Sequence, residues 1–196
     1  LSPLERERAY TFLRGQIEKG RQAFIICPLI EESDKIASKA AVTEYTRLQN
    51  EVFPDLRLGL LHGRMKSDDK ERVMAGFRNG EYDILVATPV VEVGIDIPNA
   101  TVMLVEGADR FGLAQLHQFR GRVGRGEHQS YCLLLAESPS LEGQQRLRII
   151  ETTHDGFLLA EEDLKMRGPG EFFGTRQSGL PDLKVAKLGD LSLIHI

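Results

Sequence analysis

The chain has 196 residues, of which 41% are hydrophobic and 28% are charged, a balance typical of a globular protein with a core of its own. Its formal net charge of −4 excludes a protein that coats nucleic acid by bulk positive charge. No apolar run approaches the roughly 20 residues of a membrane helix, so we expect a cytoplasmic protein with no membrane partner. Cys27 and Cys132 lie in apolar runs, which predicts buried, reduced thiols rather than a disulfide or metal framework.

Helical and strand patterns alternate along the chain. Apolar spacing predicts a helix over 5–19 that stops at Gly20, and the continuous apolar run 23–27 predicts a strand covered on both faces. The later patterns predict, in order, a helix to about Asn50, a strand over 56–61, a helix over 67–79, strands over 83–87 and 101–105, a short helix, a strand over 130–135, and helices over 140–153 and 157–167. This order predicts an α/β fold, a parallel sheet flanked by helices, followed by a helical hairpin.

Polar segments follow four of the strands, at 31–33, 62–64, 88–99 and 106–110. In open α/β sheets, ligands bind where the strands end. We therefore expect the ligand site at this edge of the sheet, with the arginine-rich stretch described next facing the same edge.

Residues 118–125 read Q-F-R-G-R-V-G-R, with three arginines and two glycines in close succession. Arginine stays charged at working pH and its planar donors match the oxygens of a phosphate, while glycine lets the backbone turn or approach a ligand. We interpret the stretch as a phosphate sensor. The alternative is a solvated basic loop held by surface ion pairs, which contribute little.

The stretch resembles the Q-x-x-G-R-x-G-R signature of superfamily 2 helicases and translocases at every fixed position. The resemblance implies a RecA-like lobe in which Arg122 and Arg125, with Gln118, act catalytically. In that family the two arginines reach across a cleft to the γ-phosphate of ATP, a contribution worth about 10³ to 10⁵ in rate.

Residues 87–100, A-T-P-V-V-E-V-G-I-D-I-P-N-A, resemble the superfamily segment that couples nucleotide to nucleic acid. The resemblance implies that Thr88 contacts a DNA phosphate and that Gly94 and Asp96 bind the nucleotide. A hydroxyl suits phosphate oxygens, and a carboxylate suits a ribose hydroxyl or a partner arginine. The alternative is a helix cap at Thr88 and a simple turn at 94–96.

Residues 61–65, L-H-G-R-M, resemble a second DNA-contact loop of the same superfamily. The resemblance implies DNA contacts by His62, Gly63 and Arg64. Alternatively, His62 is structural and Arg64 pairs with Asp68 on the following turn.

Residues 167–181 read R-G-P-G-E-F-F-G-T-R-Q-S-G-L-P. The glycines and prolines are typical of a linker, but a solvated linker has no use for Phe172 and Phe173, so we expect an ordered irregular loop. The helical hairpin and this loop resemble the translocation motif of the RecG family of branched-DNA translocases. The resemblance implies that Arg146, Arg167 and Gln177 couple translocation, the alternative for each being an ordinary surface side chain.

The resemblance implies a C-terminal motor-lobe fragment of an ATP-dependent double-stranded DNA helicase that remodels stalled forks and Holliday junctions in repair and recombination. We expect a lobe at 1–139, the hairpin and loop at 140–190, and a non-native tail at 191–196, whose codons can match a transposon end used in library preparation. Its partners would be branched DNA and the N-terminal motor lobe and wedge domain of the same protein, acting as a monomer. The alternatives are the motor lobe of the transcription-repair coupling factor and a non-catalytic nucleic-acid-binding module.

Two further signatures of ATP hydrolysis are absent from these 196 residues, the G-x-x-x-x-G-K-[S/T] phosphate loop and the D-E-x-H magnesium motif. We therefore expect no metal site in this chain, and ATP and Mg²⁺ held mainly by the other lobe. We also expect the fragment alone to be inactive.

Overall fold

A computed structural model describes residues 3–28, 34–89 and 97–167 of the chain. Helices and strands alternate in it as the sequence predicts. In chain order they are α1 Pro3–Glu18, β1 Gln22–Ile26, α2 Asp34–Arg47, β2 Leu58–Leu61, α3 Ser67–Arg78, β3 Ile84–Ala87, β4 Ala100–Val105, α4 Leu113–Arg120, β5 Tyr131–Leu134, α5 Leu141–Thr152 and α6 Gly156–Arg167.

The strands form one five-stranded sheet in the order β2-β3-β1-β4-β5. Every neighbouring pair is parallel, which confirms the predicted α/β fold with a RecA-like parallel sheet. All strands therefore end at one edge, called here the carboxyl edge, and begin at the opposite one, the amino edge. The central strands β1, β3 and β4 are buried along their whole length, and for β1 this confirms the predicted strand covered on both faces.

Helices cover both faces of the sheet. On one face, Leu13 of α1 packs in a buried cluster with Leu48 and with side chains of the strands. On the other face, Phe24 of β1 meets Phe77 of α3 edge to face, with ring centroids 5.1 Å apart. Aromatic pairs in this geometry add to the stabilisation that comes from burial alone.

The helix ends follow local chemistry. Gly20 and Gly80 have φ of 79° and 76°, the left-handed conformation that stops a helix, so α1 and α3 end as predicted. Helix α2 ends at Arg47 rather than near Asn50, because the chain widens into a π-helical turn at Leu48–Val52. That turn closes with a 2.7 Å bond from the Phe53 amide to the Leu48 carbonyl and buries both side chains.

Each hairpin helix begins at a capping side chain. The Ser140 hydroxyl accepts a hydrogen bond from the Gly143 amide (3.1 Å), and an Asp155 carboxylate oxygen accepts one from the Phe157 amide (2.8 Å). Such caps satisfy amides that have no partner inside the helix. Two consecutive helices are therefore present where the sequence predicts the hairpin.

By its internal contacts the chain divides into two compact units, 1–163 and 164–196. The predicted boundary at 139/140 stays a prediction. The predicted irregular loop and the tail at 191–196 lie outside the described residues. Across the residues that are described, no helix is both long and apolar enough to cross a bilayer.

Candidate nucleotide and nucleic-acid sites

The two segments expected to contact DNA begin side by side at the carboxyl edge. Leu61 of β2 aligns with Ala87 of β3, and the Thr88 amide donates to the Leu61 carbonyl at 3.1 Å. His62 and Thr88 therefore follow neighbouring strands at the same level of the sheet. The sequence places them 26 positions apart, and the parallel pairing brings them together.

Both side chains hold a buried polar atom without a described partner. The side chain of Thr88 is 2% exposed, and its hydroxyl makes no hydrogen bond to any described residue. The same holds for Nδ1 of His62. A buried polar atom that stays unpaired costs free energy, so such atoms mark places where a ligand can supply the missing bond.

Two cationic side chains, Lys70 and Arg64, lie near His62 at this edge. Desolvation by burial lowers the pKa of His62, and the nearby charges of Lys70 and Arg64 lower it further. Lys70 donates to the Gly63 carbonyl at 2.8 Å. Arg64 is exposed, and the alternative ion pair with Asp68 is not formed. The loop therefore presents a neutral imidazole with two cations beside it.

The arginine-rich stretch starts on α4 and continues into the loop before β5. Helix α4 buries Leu113, Leu116 and Phe119, so Gln118 is left exposed on the other face. Arg122 and Arg125 belong to the loop. Arg122 is half-buried and Arg125 is exposed, with its Nε donating to the Gly121 carbonyl at 3.1 Å.

This loop lies at the amino edge, so the expectation that the arginine stretch faces the carboxyl edge is wrong. Helix α4 leads away from the end of β4, and the loop then enters β5 at Tyr131, which aligns with Val102 near the start of β4. Gly126 lies directly against Pro98, which precedes β4. The reason is geometric: the crossover between two parallel strands must return the chain to the edge where the second strand begins.

The nucleotide residues expected at Gly94 and Asp96 lie outside the described residues. Their segment begins at Thr88, at the carboxyl edge, and its last described residues, Ile97 to Asn99, lead into β4 at the amino edge. The segment thus connects the Thr88 site to the neighbourhood of the arginine loop. The two sites lie at opposite edges of the sheet, at the two ends of this segment.

Arg146 on α5 is largely buried and hydrogen-bonded. This differs from the alternative, which describes it as an ordinary surface side chain. Its side chain is 19% exposed, it pairs with Glu142, and it donates to the Asp109 carbonyl at 2.7 Å. Asp109 belongs to the short 3₁₀ turn Ala108–Arg110 between β4 and α4. Arg146 therefore ties the first hairpin helix to the segment that leads into α4.

The other two residues expected to couple translocation lie at or beyond the end of the described chain. Arg167 is the last residue of α6, and its side chain lies outside the described part of the structure. Gln177 lies outside it altogether. Their roles stay predictions.

Sequence reasoning missed Arg120 and His117, which connect α4 to the hairpin. Arg120 donates to the carbonyls of Ile150 (2.9 Å) and Thr153 (2.8 Å), at the end of α5. It also donates to Nδ1 of His117 at 3.0 Å. The sequence marks Arg120 as one of three closely spaced arginines. It does not indicate the partners of Arg120, which lie 30 and 33 positions away.

A polar cluster fills the carboxyl edge beside β4. Glu106, which is buried, accepts hydrogen bonds from Arg6 (3.0 Å) and from the Tyr10 hydroxyl (2.9 Å) of α1. A cavity of about 700 Å³ opens next to it. Because Glu106 is paired on both oxygens, it holds α1 to the sheet. No group of three or more acidic, histidine or cysteine side chains forms a metal site among the residues described.

Two parts of the chain match known protein families. Residues 6–127, more than half of the chain, match the family described as the helicase conserved C-terminal domain. The chain belongs to this family. Residues 153–194 match a second family, described as the C-terminal part of domain 3 of the ATP-dependent DNA helicase RecG.

Curated relatives point the same way. The chain is 55% identical to the RecG helicase of Synechocystis sp. over 184 residues, 54% identical to that of Thermotoga maritima over 197, and 52% identical to that of Bacillus subtilis over 182. These matches cover 94%, 100% and 93% of this chain but 22%, 25% and 27% of the relatives. The chain therefore spans about a quarter of their length. The RecG resemblance is confirmed, and the transcription-repair coupling factor is not favoured.

Solved structures agree. A structure of RecG bound to a three-way DNA junction superposes with a TM-score of 0.71 at 51% identity, over 84% of this chain and 21% of that one. The C-terminal domain of the DEAD-box protein Dbp5 superposes with a TM-score of 0.51 at 21% identity, over 73% of this chain and 77% of that one. The second likeness shows the fold alone.

Proposed function

We propose that this chain is the second motor lobe, with its translocation hairpin, of an ATP-dependent double-stranded DNA helicase that remodels stalled forks and Holliday junctions in repair and recombination. The observation that carries the proposal is the segment 88–99. One end holds the buried Thr88 hydroxyl, which has no hydrogen-bond partner among the described residues, beside His62, and the other end lies against the arginine loop. A DNA contact and a nucleotide contact would thus share one stretch of backbone.

At the amino edge, Arg122 and Arg125 would contact the γ-phosphate of ATP held by the first motor lobe. The fit rests on the donor set, since exposed and half-buried guanidinium groups suit phosphate oxygens. Gln118 would orient the attacking water, and Gly94 and Asp96 would lie against the nucleotide. ATP would be hydrolysed with Mg²⁺ held by the first lobe. The arginines would stabilise the negative charge that develops on the phosphate as the bond breaks.

At the carboxyl edge, Thr88 and the 62–64 loop would bind the DNA backbone. Hydroxyl, backbone amide and arginine donors are the groups that most often contact phosphate. The RecG structure that superposes on this chain is described as bound to a three-way DNA junction, which supports branched DNA as the substrate. Arg146, Arg167 and Gln177 would pass motion to that DNA, and the N-terminal lobe and wedge domain would complete a monomeric motor.

The test is made in the full-length protein that contains this chain. We expect Arg125→Ala to lower fork-stimulated ATP hydrolysis by about 10³ or more and to leave fork binding unchanged. We expect Arg64→Gln to weaken fork binding and to reduce its salt slope by about 1. Arg78→Gln, an exposed arginine at the end of α3, is the matched control.

Hydrolysis that survives Arg125→Ala would overturn the nucleotide assignment. Fork binding that responds equally to Arg64→Gln and Arg78→Gln would overturn the DNA assignment at the carboxyl edge. The two halves of the proposal can therefore fail separately.

A further inference from the structure

Two amide side chains join four segments at the amino edge of the sheet. Gln22, at the start of β1, is 5% exposed. Its Nε2 donates to the carbonyls of Phe77 at 2.6 Å and Tyr82 at 2.8 Å, at the end of α3 and before β3. Its Oε1 accepts a 3.3 Å bond from Nδ2 of Asn99, which also donates to the Gly20 carbonyl at 3.0 Å. The pair thus links the ends of α1 and α3 to the starts of β1, β3 and β4.

The backbone pairing between β1 and β4 is irregular at the same place. Its register shifts between Gln22 and Ala23, so that Thr101 is an extra residue of β4 with no counterpart in β1. Such irregularities redirect the adjoining backbone and are frequent beside functional sites. Because the shift immediately follows Asn99, the regular ladder begins only beyond it. The bond from the Gln22 amide to the Asn99 carbonyl, at 3.0 Å, and the two side chains fix the chain at this point.

The arginine loop rests on the residue next to this pair. A β-carbon at Gly126 would overlap the carbonyl oxygen of Pro98, so the two backbones are in direct contact. Pro98 precedes Asn99 in the chain, and Gly126 follows Arg125. The position of Asn99 therefore decides where the backbone beside Arg125 is supported.

We infer that Asn99 and Gln22 are positioning residues for the arginine loop. They hold Pro98 where it supports Gly126, and through this contact they aim Arg125 at the phosphate. The inference rests on the proposed function, because it assumes that Arg125 contacts the nucleotide. Neither amide touches the nucleotide itself. Misplacing a catalytic group by about 1 Å can cost about 10²-fold in rate, so a small shift of this support is enough to matter.

A purely structural role predicts a different order of effects. Loss of the Gln22 amide removes the donor from two carbonyls, of which that of Phe77 is buried. Loss of the Asn99 amide affects an exposed bond to Gly20 and a partly buried one to Gln22. Buried groups that lose their partner cost the most stability. If the pair only stabilises the fold, substitutions of Gln22 are therefore the more harmful in every assay.

The experiment measures kcat and the KM for ATP in fork-stimulated hydrolysis by the full-length protein, together with the Kd for a forked duplex. For Asn99→Ala we expect kcat to fall at least about tenfold. The KM and the fork Kd should stay within about twofold of wild type, because the first lobe holds the ATP and the DNA contacts lie at the carboxyl edge. Asn79→Ala, at an exposed asparagine that ends α3, is the matched control.

A second variant separates positioning from stability. Gln22→Met keeps the shape of the side chain and fills the buried site with an apolar group, so the variant is expected to fold. It should lower the thermal unfolding midpoint more than Asn99→Ala does. It should lower kcat less, because Asn99 keeps its bond to Gly20.

A double substitution tests whether Asn99 acts through Arg125. Arg125→Lys keeps the charge but loses the planar fork of donors. In that background, Asn99→Ala should lower kcat by no more than about twofold, because residues that act as a unit have non-additive effects. Effects of the two substitutions that multiply would show that Asn99 acts independently of the arginine.

The outcomes distinguish this inference from the proposed function. The inference is overturned if kcat follows the order of stability, if Asn99→Ala hydrolyses ATP as Asn79→Ala does, or if its fork binding falls by the same factor as its kcat. A wild-type protein that hydrolyses no ATP on forks, or hydrolysis that survives Arg125→Ala, overturns the proposed function instead.

Discussion

Gly126 of the arginine loop packs directly on the backbone of Pro98, the residue that leads into β4. A β-carbon at position 126 would stand 3.2 Å from the Pro98 carbonyl carbon and would overlap its oxygen. Neither partner is a flexible side chain, so the backbone itself would have to move. The contact therefore fixes the distance between the arginine loop and the end of the 88–99 segment.

The first prediction concerns this contact. We expect Gly126→Ala to destabilise the chain by about 1–3 kcal/mol, because overpacking against a rigid neighbour forces the backbone to shift. In the full-length protein it should also lower fork-stimulated ATP hydrolysis, since Arg125 is the adjacent residue. The measurements are urea unfolding of the chain and phosphate release by the full-length protein.

Gly15→Ala is the matched control for this substitution. Gly15 lies within α1, and a β-carbon there would meet nothing within 4 Å. Alanine is the better helix former, so we expect this variant to gain up to about 1 kcal/mol. If Gly126→Ala behaved like Gly15→Ala, the close packing on Pro98 would have no energetic consequence.

The fold was predictable from local chemistry because its signals are local. Continuous apolar runs marked β1, β3 and β4, and glycines marked the ends of α1 and α3. The end of α2 was not predictable in the same way. Its π-helical turn depends on where Leu48 and Phe53 meet the core, which is a tertiary requirement.

The site was only partly predictable. The position of His62 beside Thr88 follows from the rule that neighbouring parallel strands end at the same edge, and that rule holds. The same rule misplaced the arginine loop, because it describes ligands bound by one sheet, and here we propose a nucleotide held by another lobe. The role of Arg120 could not be read from spacing, since its acceptors are backbone carbonyls, which no sequence pattern marks.

The second prediction concerns the chain by itself. Because neither a phosphate loop nor a D-E-x-H motif occurs in its sequence, we expect the isolated chain to release no phosphate from ATP above background, with or without forked DNA. Arg125→Ala should then make no difference. Turnover at the level of a complete helicase that survived Arg125→Ala would contradict both this prediction and the role of that arginine.

The third prediction concerns the two thiols. Burial raises the pKa of Cys27 far above its usual range. Burial also raises the pKa of Cys132 to about 11, with the Arg120 charge offsetting part of the rise. Since the thiolate is the reacting form, both should be alkylated by iodoacetamide at pH 8 much more slowly in the native chain than in guanidinium chloride.

Mass spectrometry of peptides containing each cysteine distinguishes the two sites over a time course. Cys27 is fully buried, so it should react only as fast as the chain unfolds, whereas Cys132 is half-buried and should react earlier. Native alkylation of Cys27 at the rate of the unfolded chain would show that the core around β1 is not closed.

The fourth prediction concerns His62 and pH. The pKa of His62 is lowered in the folded chain, first by desolvation and then by Lys70 and Arg64. In the unfolded chain the pKa is about 6.5, so near and below that pH the unfolded chain binds more protons than the folded chain. The stability contributed by this effect is fully present above that value and is lost as the pH falls through it. Urea unfolding at pH 7.5 and 5.5 should show a smaller loss of stability in His62→Gln than in wild type, whereas His128→Gln, at an exposed loop histidine, should behave as wild type. An equal loss in all three proteins would mean that His62 is not desolvated beside those cations, and the description of the carboxyl edge as a neutral imidazole flanked by positive charge would be wrong.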